Sequence, residues 1–198
     1  MSKLFGLGVR RNNRTGFSLT ELIATVAIAS ILLTLALPSL SAIVVNNQLS
    51  ATANEFLAAL NLARSEAIKR GQYVVMRKTG SNWEDGWQIF IDLKRDSTES
   101  KNAFDAESDI LLKTYPGLND GYTLRGNNSR FQSYVGYQPN GSSNGMGSFA
   151  LCKNQQLQGT KLLIVNLVGR PRIATDSDRD GIPEKDSGQD ITSCMSGF

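Results

Sequence analysis

Asp176, Asp178 and Asp180 stand at alternate positions, and Gly181 follows them. Carboxylates spaced in this way on a tight turn can converge on one hard cation, which takes oxygen ligands, and a glycine then lets the chain reverse. The pattern reads as the start of a calcium loop. Its oxygens would come from Asp176, Asp178, Asp180 and the carbonyl of Ile182, with Glu184 at the next ligand position. The later half departs from that pattern. Ser187 stands where a bidentate glutamate belongs, Asp186 comes one residue early, and Arg179 puts a cation inside the turn. Two readings stay open: a weak calcium site on a variant loop, and an acidic surface turn.

A few residues upstream, Arg170 and Arg172 flank Pro171. On an extended segment, side chains two apart point the same way, so the two guanidinium groups would be aligned to grip phosphates. Pro171 cannot donate to a ladder, which predicts an edge or loop position. Lys153, Lys161 and Lys185 are close in sequence and would enlarge a basic patch. The acids from Asp176 to Asp190 would oppose a polyanion unless they fold away or are neutralised. The competing reading is a solvated arginine pair, or one paired with those acids. Trp83 and Trp87 flank Glu84-Asp85-Gly86 and are expected to serve core and turn packing. No nucleophile–base set, carboxylate pair or phosphate-cradling glycine loop stands out, so no enzymatic activity is expected. The chain has no histidine, which weighs against a histidine-based triad or zinc site.

What must position these groups begins with an unusual N-terminus. Residues 1–16 hold Lys3, Arg10, Arg11 and Arg14 and no acid; the remainder has 17 basic and 18 acidic residues. The overall charge of +3 therefore belongs to the leader, and composition gives no reason to expect a nucleic-acid binder. From Leu22 to Asn54 there is no charged side chain, and Glu21 stands alone at the head of that run. The apolar core of a cleaved signal peptide is roughly 7–15 residues. Leu22–Val45 has 24. As a helix it would span about 36 Å, enough for a ~30 Å hydrocarbon layer, with the basic leader on the cytoplasmic side. Glu21 costs little at the lipid boundary but is expensive once buried without a cationic partner. A cut between Gly16 and Phe17 would create such a partner, the new α-amino group, one helical turn before Glu21.

From Asn46 the pattern changes. Leu49, Ala53, Phe56, Leu60, Ala63 and Ala67 form one apolar stripe at helical spacing. Lys69 and Arg70 suit a helix C-terminus and Gly71 suits its cap. The spacing predicts one long helix from about Phe17 to Arg70, with Pro38 as a place to bend. Strands are expected over 72–78, 87–93, 110–115, 122–124, 131–137, 148–152 and 161–168, with loops over 94–109 and 138–147. After Gly169 the chain is polar apart from Ile173, Ile182 and Ile191. The result is an α+β chain: a long N-terminal helix, apolar in its first half and amphipathic in its second, on a sheet-rich head.

Gly16-Phe17-Ser18-Leu19-Thr20-Glu21, ahead of that apolar run, resembles the processing site of type IV pilins and type II secretion pseudopilins. Ala63-Arg64-Ser65-Glu66-Ala67-Ile68, Gly86-Trp87-Gln88-Ile89-Phe90 and Gly169-Arg170-Pro171-Arg172 resemble the GspH/FimT branch of minor pilins and pseudopilins. The resemblance implies the type IV pilin fold. It implies that prepilin peptidase removes residues 1–16 after Gly16 and that Phe17 is N-methylated. Residues 17–45 would then be the transmembrane and filament-core helix, and 46–198 the head, including the amphipathic helix 46–70. It gives Glu21 a part in registering the subunit during assembly, and Pro38 that of the helix-disrupting proline common in pilins. The Gly-Arg-x-Arg segment is linked to DNA uptake in FimT-type members. The expected partners are other major and minor pilins, prepilin peptidase, the inner-membrane assembly machinery and, on the DNA reading, DNA. The expected location is the inner membrane, head outward, and then an extracellular pilus. No cofactor is required, and calcium is the one candidate. Because this topology puts the head outside the cytoplasm, Cys152 and Cys194 are expected to pair. Three functions remain open: a minor pilin of the pilus tip or initiation complex, a DNA-binding minor pilin using Arg170 and Arg172, and a GspH-type pseudopilin of a secretion system.

Overall fold

The computed structural model describes residues 16–95, 101–196 and 198, with the side chains of 35–42 outside the described set. The leader up to residue 15 also lies outside it. Helix α1 runs Leu19–Arg70. It begins where Ser18 Oγ accepts from the Glu21 amide at 3.2 Å, an N-cap that satisfies one free donor. Glu21 lies in the first turn, where the helix dipole favours an acid. At the other end, Lys69 and Arg70 occupy the last turn and Gly71 takes φ +64°. The Gln72 amide then donates to the Ala67 carbonyl at 3.3 Å, the Schellman closure expected of a glycine cap. The helix is continuous through Pro38, the residue at which the sequence allows a bend.

The chain divides into two compact units, residues 1–43 and 44–198. In the first, the large apolar side chains of Leu22, Ile23, Val26, Ile28, Ile31, Leu32 and Leu33 are each 57–62% exposed. They lie all round the helix rather than on one stripe. Among the described residues no helix is long and apolar enough to cross a membrane. The run Leu22–Val45 includes the stretch 35–42, so the spanning expectation falls partly outside those residues.

The second unit contains two antiparallel four-stranded sheets. Strands β1 (Val74–Lys78), β2 (Trp87–Ile91), β3 (Ile110–Tyr115) and β5 (Tyr134–Tyr137) form one, in the order β3-β2-β1-β5. Strands β4 (Tyr122–Gly126), β6 (Gly147–Lys153), β7 (Gln156–Val165) and β8 (Pro171–Ile173) form the other, in the order β4-β6-β7-β8. All six stripe residues of α1, Leu49 to Ala67, are buried against them. Phe56 is the hub. Its ring meets Trp83, Trp87 and Phe149 edge-on, with centroids 5.5, 5.1 and 4.9 Å away. Such pairs add about 0.5–1.5 kcal/mol each beyond area burial. Trp83 also donates from Nε1 to the Phe131 carbonyl at 2.7 Å, so both tryptophans are core, as expected from the sequence.

Several strand bounds differ from the sequence expectation: β2 stops at Ile91 rather than at 93, and β5 begins at Tyr134, with 131–133 a turn. Strand β7 begins at Gln156 rather than at Lys161 and ends at Val165, leaving 166–168 as the turn into β8. Strand β8 is short and polar and gives no alternating signal; it is added at a sheet edge, where Pro171 needs no ladder partner. The polar C-terminus is ordered against the outer side of the second sheet. There Ala150, Leu162, Ile164, Ile191 and Phe198 form a second apolar cluster, with Ile182 and Ala174 packed on it. Cys152 in β6 and Cys194 in this tail are joined by a disulfide.

Candidate functional site

The Gly16-Phe17 segment is open among the described residues. Gly16 and Phe17 precede α1; the Phe17 side chain is 76% exposed, and nothing lies within 4 Å of a Cβ built on Gly16. Glu21 is exposed on the first turn and forms no ion pair among the described residues. Among the described residues nothing covers the apolar side chains from Leu22 to Leu33, and a helix surface of that kind suits lipid or other helices around it.

The basic residues named from the sequence do not form one patch. In the ladder, Arg172 lies opposite Ile164, on the outer face of the second sheet, which the C-terminal tail covers. Lys153 and Lys161 pair with Tyr122 and Leu151, on the inner face toward the main core. Lys153 Nζ lies 4.2 Å from the Tyr122 ring centroid and donates to the Asp120 carbonyl. Arg172 is ion-paired with Asp186, and Lys185 has a partner of its own. Arg170 is exposed and forms no ion pair among the described residues. Of the two arginines expected to be aligned, Arg172 thus already has an acid of the following segment as its partner.

The acidic turn does come together. Carboxylate oxygens of Asp176, Asp178 and Asp180 all lie within 4.8 Å of one another, and all three residues are exposed. The backbone holds them there. The Gly181 amide donates to Asp176 Oδ2 at 2.9 Å, and the Ile182 amide to Asp180 Oδ1 at 2.7 Å. Glu184 accepts from the Ser177 amide at 2.7 Å, and that bond holds its carboxyl below the usual 4.5. Its second oxygen, Oε2, is buried without a hydrogen-bond partner among the described residues. Desolvation pushes the Asp190 carboxyl up, helped by the negative charges of Asp180 and Asp178. Converging carboxylates of this kind repel one another, and a divalent cation would relieve the repulsion.

One buried acid escaped sequence reasoning. Asp92, at the end of β2, has a fully buried side chain paired with Arg95 and accepts from the Asn102 amide at 2.9 Å. Burial pushes its carboxyl up. Arg95 in turn lies 3.7 Å over the Tyr73 ring. The group ties Arg95 and Asn102 to the end of the first sheet. The signal in the sequence was an acid closing an otherwise apolar strand, Trp87–Ile91.

A family model described as type II transport protein GspH matches residues 52–169, more than half of the chain. A second, described as the prokaryotic N-terminal methylation motif, matches residues 11–37. No curated protein sequence matches. Among solved structures, the type IV minor pilin FimU of Pseudomonas aeruginosa (strain PAO1) is similar, with TM-score 0.55 and 21% identity over 75% of this chain and 96% of that one. A second crystal form of FimU gives TM-score 0.53 and 19% identity, over 73% and 98%. The minor pseudopilin EpsH of the Vibrio cholerae type 2 secretion system gives TM-score 0.44 and 15% identity, over 64% and 95%.

Proposed function

The chain belongs to the GspH family of type II transport proteins and has the type IV pilin fold, and from that premise we propose that it is a minor pilin of a type IV pilus. Membership implies a membrane-anchored precursor that assembles with other pilins after prepilin peptidase has acted. In the finer reading, the peptidase cuts after Gly16 and Phe17 is methylated. The helix then leaves the inner membrane for the filament core, with the head on the outer side throughout. The subunit sits in the tip or initiation complex. The observation that carries this reading is the set of large apolar side chains from Leu22 to Leu33, each more than half exposed and spread round the helix just after the Gly16-Phe17 motif. Such a surface suits two successive environments, lipid and then a bundle of like helices. The similarity of the head to FimU, a type IV minor pilin, favours the pilus over a secretion system.

An in-frame deletion tests it by separate measurement of piliation, protein secretion and DNA uptake. Loss of pili is the expected outcome. Loss of secretion with normal pili would assign the chain to a secretion system, and loss of uptake alone would assign it to DNA capture. The DNA reading has the weaker support, because Arg172 is paired with Asp186 and the two lysines lie on the other face. Calcium at the Asp176–Asp180 turn is supported by the convergence of the three carboxylates. Calorimetric titration of the purified protein is expected to show weak binding, and no heat on calcium addition removes the site.

A further inference from the structure

The loop after β5 holds two Asn-Gly pairs, Asn140-Gly141 and Asn144-Gly145. An asparagine side chain can close a five-membered ring with the backbone nitrogen of the next residue. Glycine favours that closure, because it has no Cβ to bar the approach and leaves the backbone free to turn. The structure holds the two asparagines in opposite ways.

Asn144 is locked. Its amide donates to the Gly136 carbonyl at 2.8 Å, and its Oδ1 accepts from the Gly136 amide at 3.0 Å. Its own carbonyl accepts from Arg130 Nη1 at 2.5 Å, and its Nδ2 is buried without a hydrogen-bond partner among the described residues. Ring closure there would pull the side chain off β5. Asn140 is exposed, and its Oδ1 accepts two hydrogen bonds from one residue: from the Ser142 amide at 2.9 Å and from the Ser142 hydroxyl at 2.7 Å. The backbone donor fixes which end of the carboxamide faces Ser142. Two donors at this range draw electrons from the side-chain carbonyl carbon. They also stabilise the negative charge that forms on its oxygen when a nucleophile adds, as the donors of an oxyanion hole do.

We propose that Asn140 is a self-modifying site, converted through a cyclic imide to an aspartyl or isoaspartyl residue with Ser142 as the oxyanion donor. Hydroxide takes the proton of the Gly141 amide, and the nitrogen's electron pair bonds to Asn140 Cγ. The Cγ–Nδ2 bond then breaks, and Nδ2 takes up a proton and leaves as ammonia. Water opens the ring. Attack at Cγ gives an ordinary aspartate; attack at the main-chain carbonyl gives the isoaspartyl form, in which the chain runs through the side chain. The Gly141 amide donates to the Gln138 carbonyl at 2.8 Å and must leave it before it can be deprotonated, so opening of this turn sets the pace.

The product matters because Gly141 is wedged. Its carbonyl accepts from Arg64 Nε on α1 at 3.0 Å, and a Cβ on it would lie 2.7 Å from Ile68 Cδ1. The same carbonyl fills the space where a Cβ of Gly169 would be. Gly169 belongs to the turn between β7 and β8, whose tip carries Leu167 and Val168, 56% and 63% exposed. An isoaspartyl linkage adds a carbon to the main chain just before Gly141. That shifts its carbonyl away from Arg64 and from the turn, and both products add a negative charge beside them.

The test keeps the purified full chain folded in mildly alkaline buffer made with heavy-oxygen water, with peptide mass mapping at intervals. Heavy oxygen is expected to enter at residue 140 about tenfold faster than at 144, with part of the product isoaspartyl; in urea the two sites should convert at similar rates. Ser142→Ala keeps the backbone donor and removes the hydroxyl. It is expected to slow conversion at 140 in the folded chain about tenfold, less than the roughly 10²–10³ of a buried enzyme donor because Asn140 is in water. No conversion at 140, equal rates at the two sites in the folded chain, or faster conversion at 144 overturns the proposal. An unchanged rate in Ser142→Ala overturns it too, as does a faster one, which is what a merely loosened loop would give.

Discussion

At the scale of single residues, Glu21 is the one charge in a long apolar run, and two physical reasons keep it there. It lies exposed on the first turn of α1, where the positive end of the helix dipole favours an acid. After cleavage it would lie within one turn of a new amino group on Phe17. On the pilin reading, the second would be the one that acts inside a filament. Glu21→Ala is therefore expected to leave membrane insertion and cleavage intact and to reduce incorporation into pili, as read by the ratio of filament to membrane-held chain. Glu184 poses a different question. Its carboxyl is held below 4.5 by the Ser177 amide, so it contributes stability above its unfolded value and loses it as pH falls through the lower folded value. Glu184→Gln keeps an acceptor for Ser177 but removes the charge. The stability gap between wild type and this variant should be constant above about pH 5 and should narrow below 4.5. Thermal melts across that range check it; a gap that widens toward acid contradicts the assignment. The processing motif was legible at this scale because its residues are adjacent in sequence. Pairing of the arginines with the acids that follow was one of the two readings; that Arg172 in particular meets Asp186 was not legible, because 14 residues and a turn separate them.

At the scale of elements, α1 was legible almost to the residue. An apolar stripe at spacing 4, 3, 4, 3, 4 has no good alternative to a helix lying on a core, and Gly71 marks its end. The six stripe residues are the six buried ones named from the sequence. Strand β8 and the first half of β7 were not legible. Their stability comes from neighbours added at an edge, and not from any alternation of their own. Phe56 tests the helix–sheet interface directly. It is fully buried and touches three aromatic rings, so Phe56→Ala should cost about 3–5 kcal/mol, while a polar residue at exposed Ala58 should change stability by less than about 0.5 kcal/mol. Urea denaturation reads both: a lowered midpoint with unchanged slope for the first, no shift for the second. The turn into β8 gives a second handle on the elements. Gly169 has φ +80°, and a Cβ there would collide with the Gly141 carbonyl. Any larger residue must push the 138–145 loop away from the tip that holds Leu167 and Val168.

At the scale of the whole molecule, the head has two apolar clusters with different sources of order. The main one is closed by α1 and both sheets and does not need the tail. The smaller one exists only because residues 174–198, with little secondary structure of their own, lie across Ala150, Leu162 and Ile164. Beyond its apolar contacts, that tail is held by the Cys152–Cys194 bond, by the Arg172–Asp186 pair, and by hydrogen bonds that include Ala174 N–H to the Leu162 carbonyl at 2.7 Å, Gly159 N–H to the Gly181 carbonyl at 2.7 Å and Asn127 Nδ2 to the Phe198 carbonyl at 3.0 Å. A tail with so few ladder bonds regains large conformational freedom once its anchor is cut. The bond spans 42 residues, so its removal should cost about 2–4 kcal/mol by the loop-closure estimate. The loss should also be uneven. In Cys152→Ser with Cys194→Ser, amide exchange is expected to accelerate through 174–198 while β1, β2 and the head half of α1 keep their protection. If protection falls equally everywhere, the two clusters form one cooperative unit and the tail belongs to the main core. If the tail keeps its protection, its other contacts hold it, and the disulfide adds only to the unfolded-state constraint.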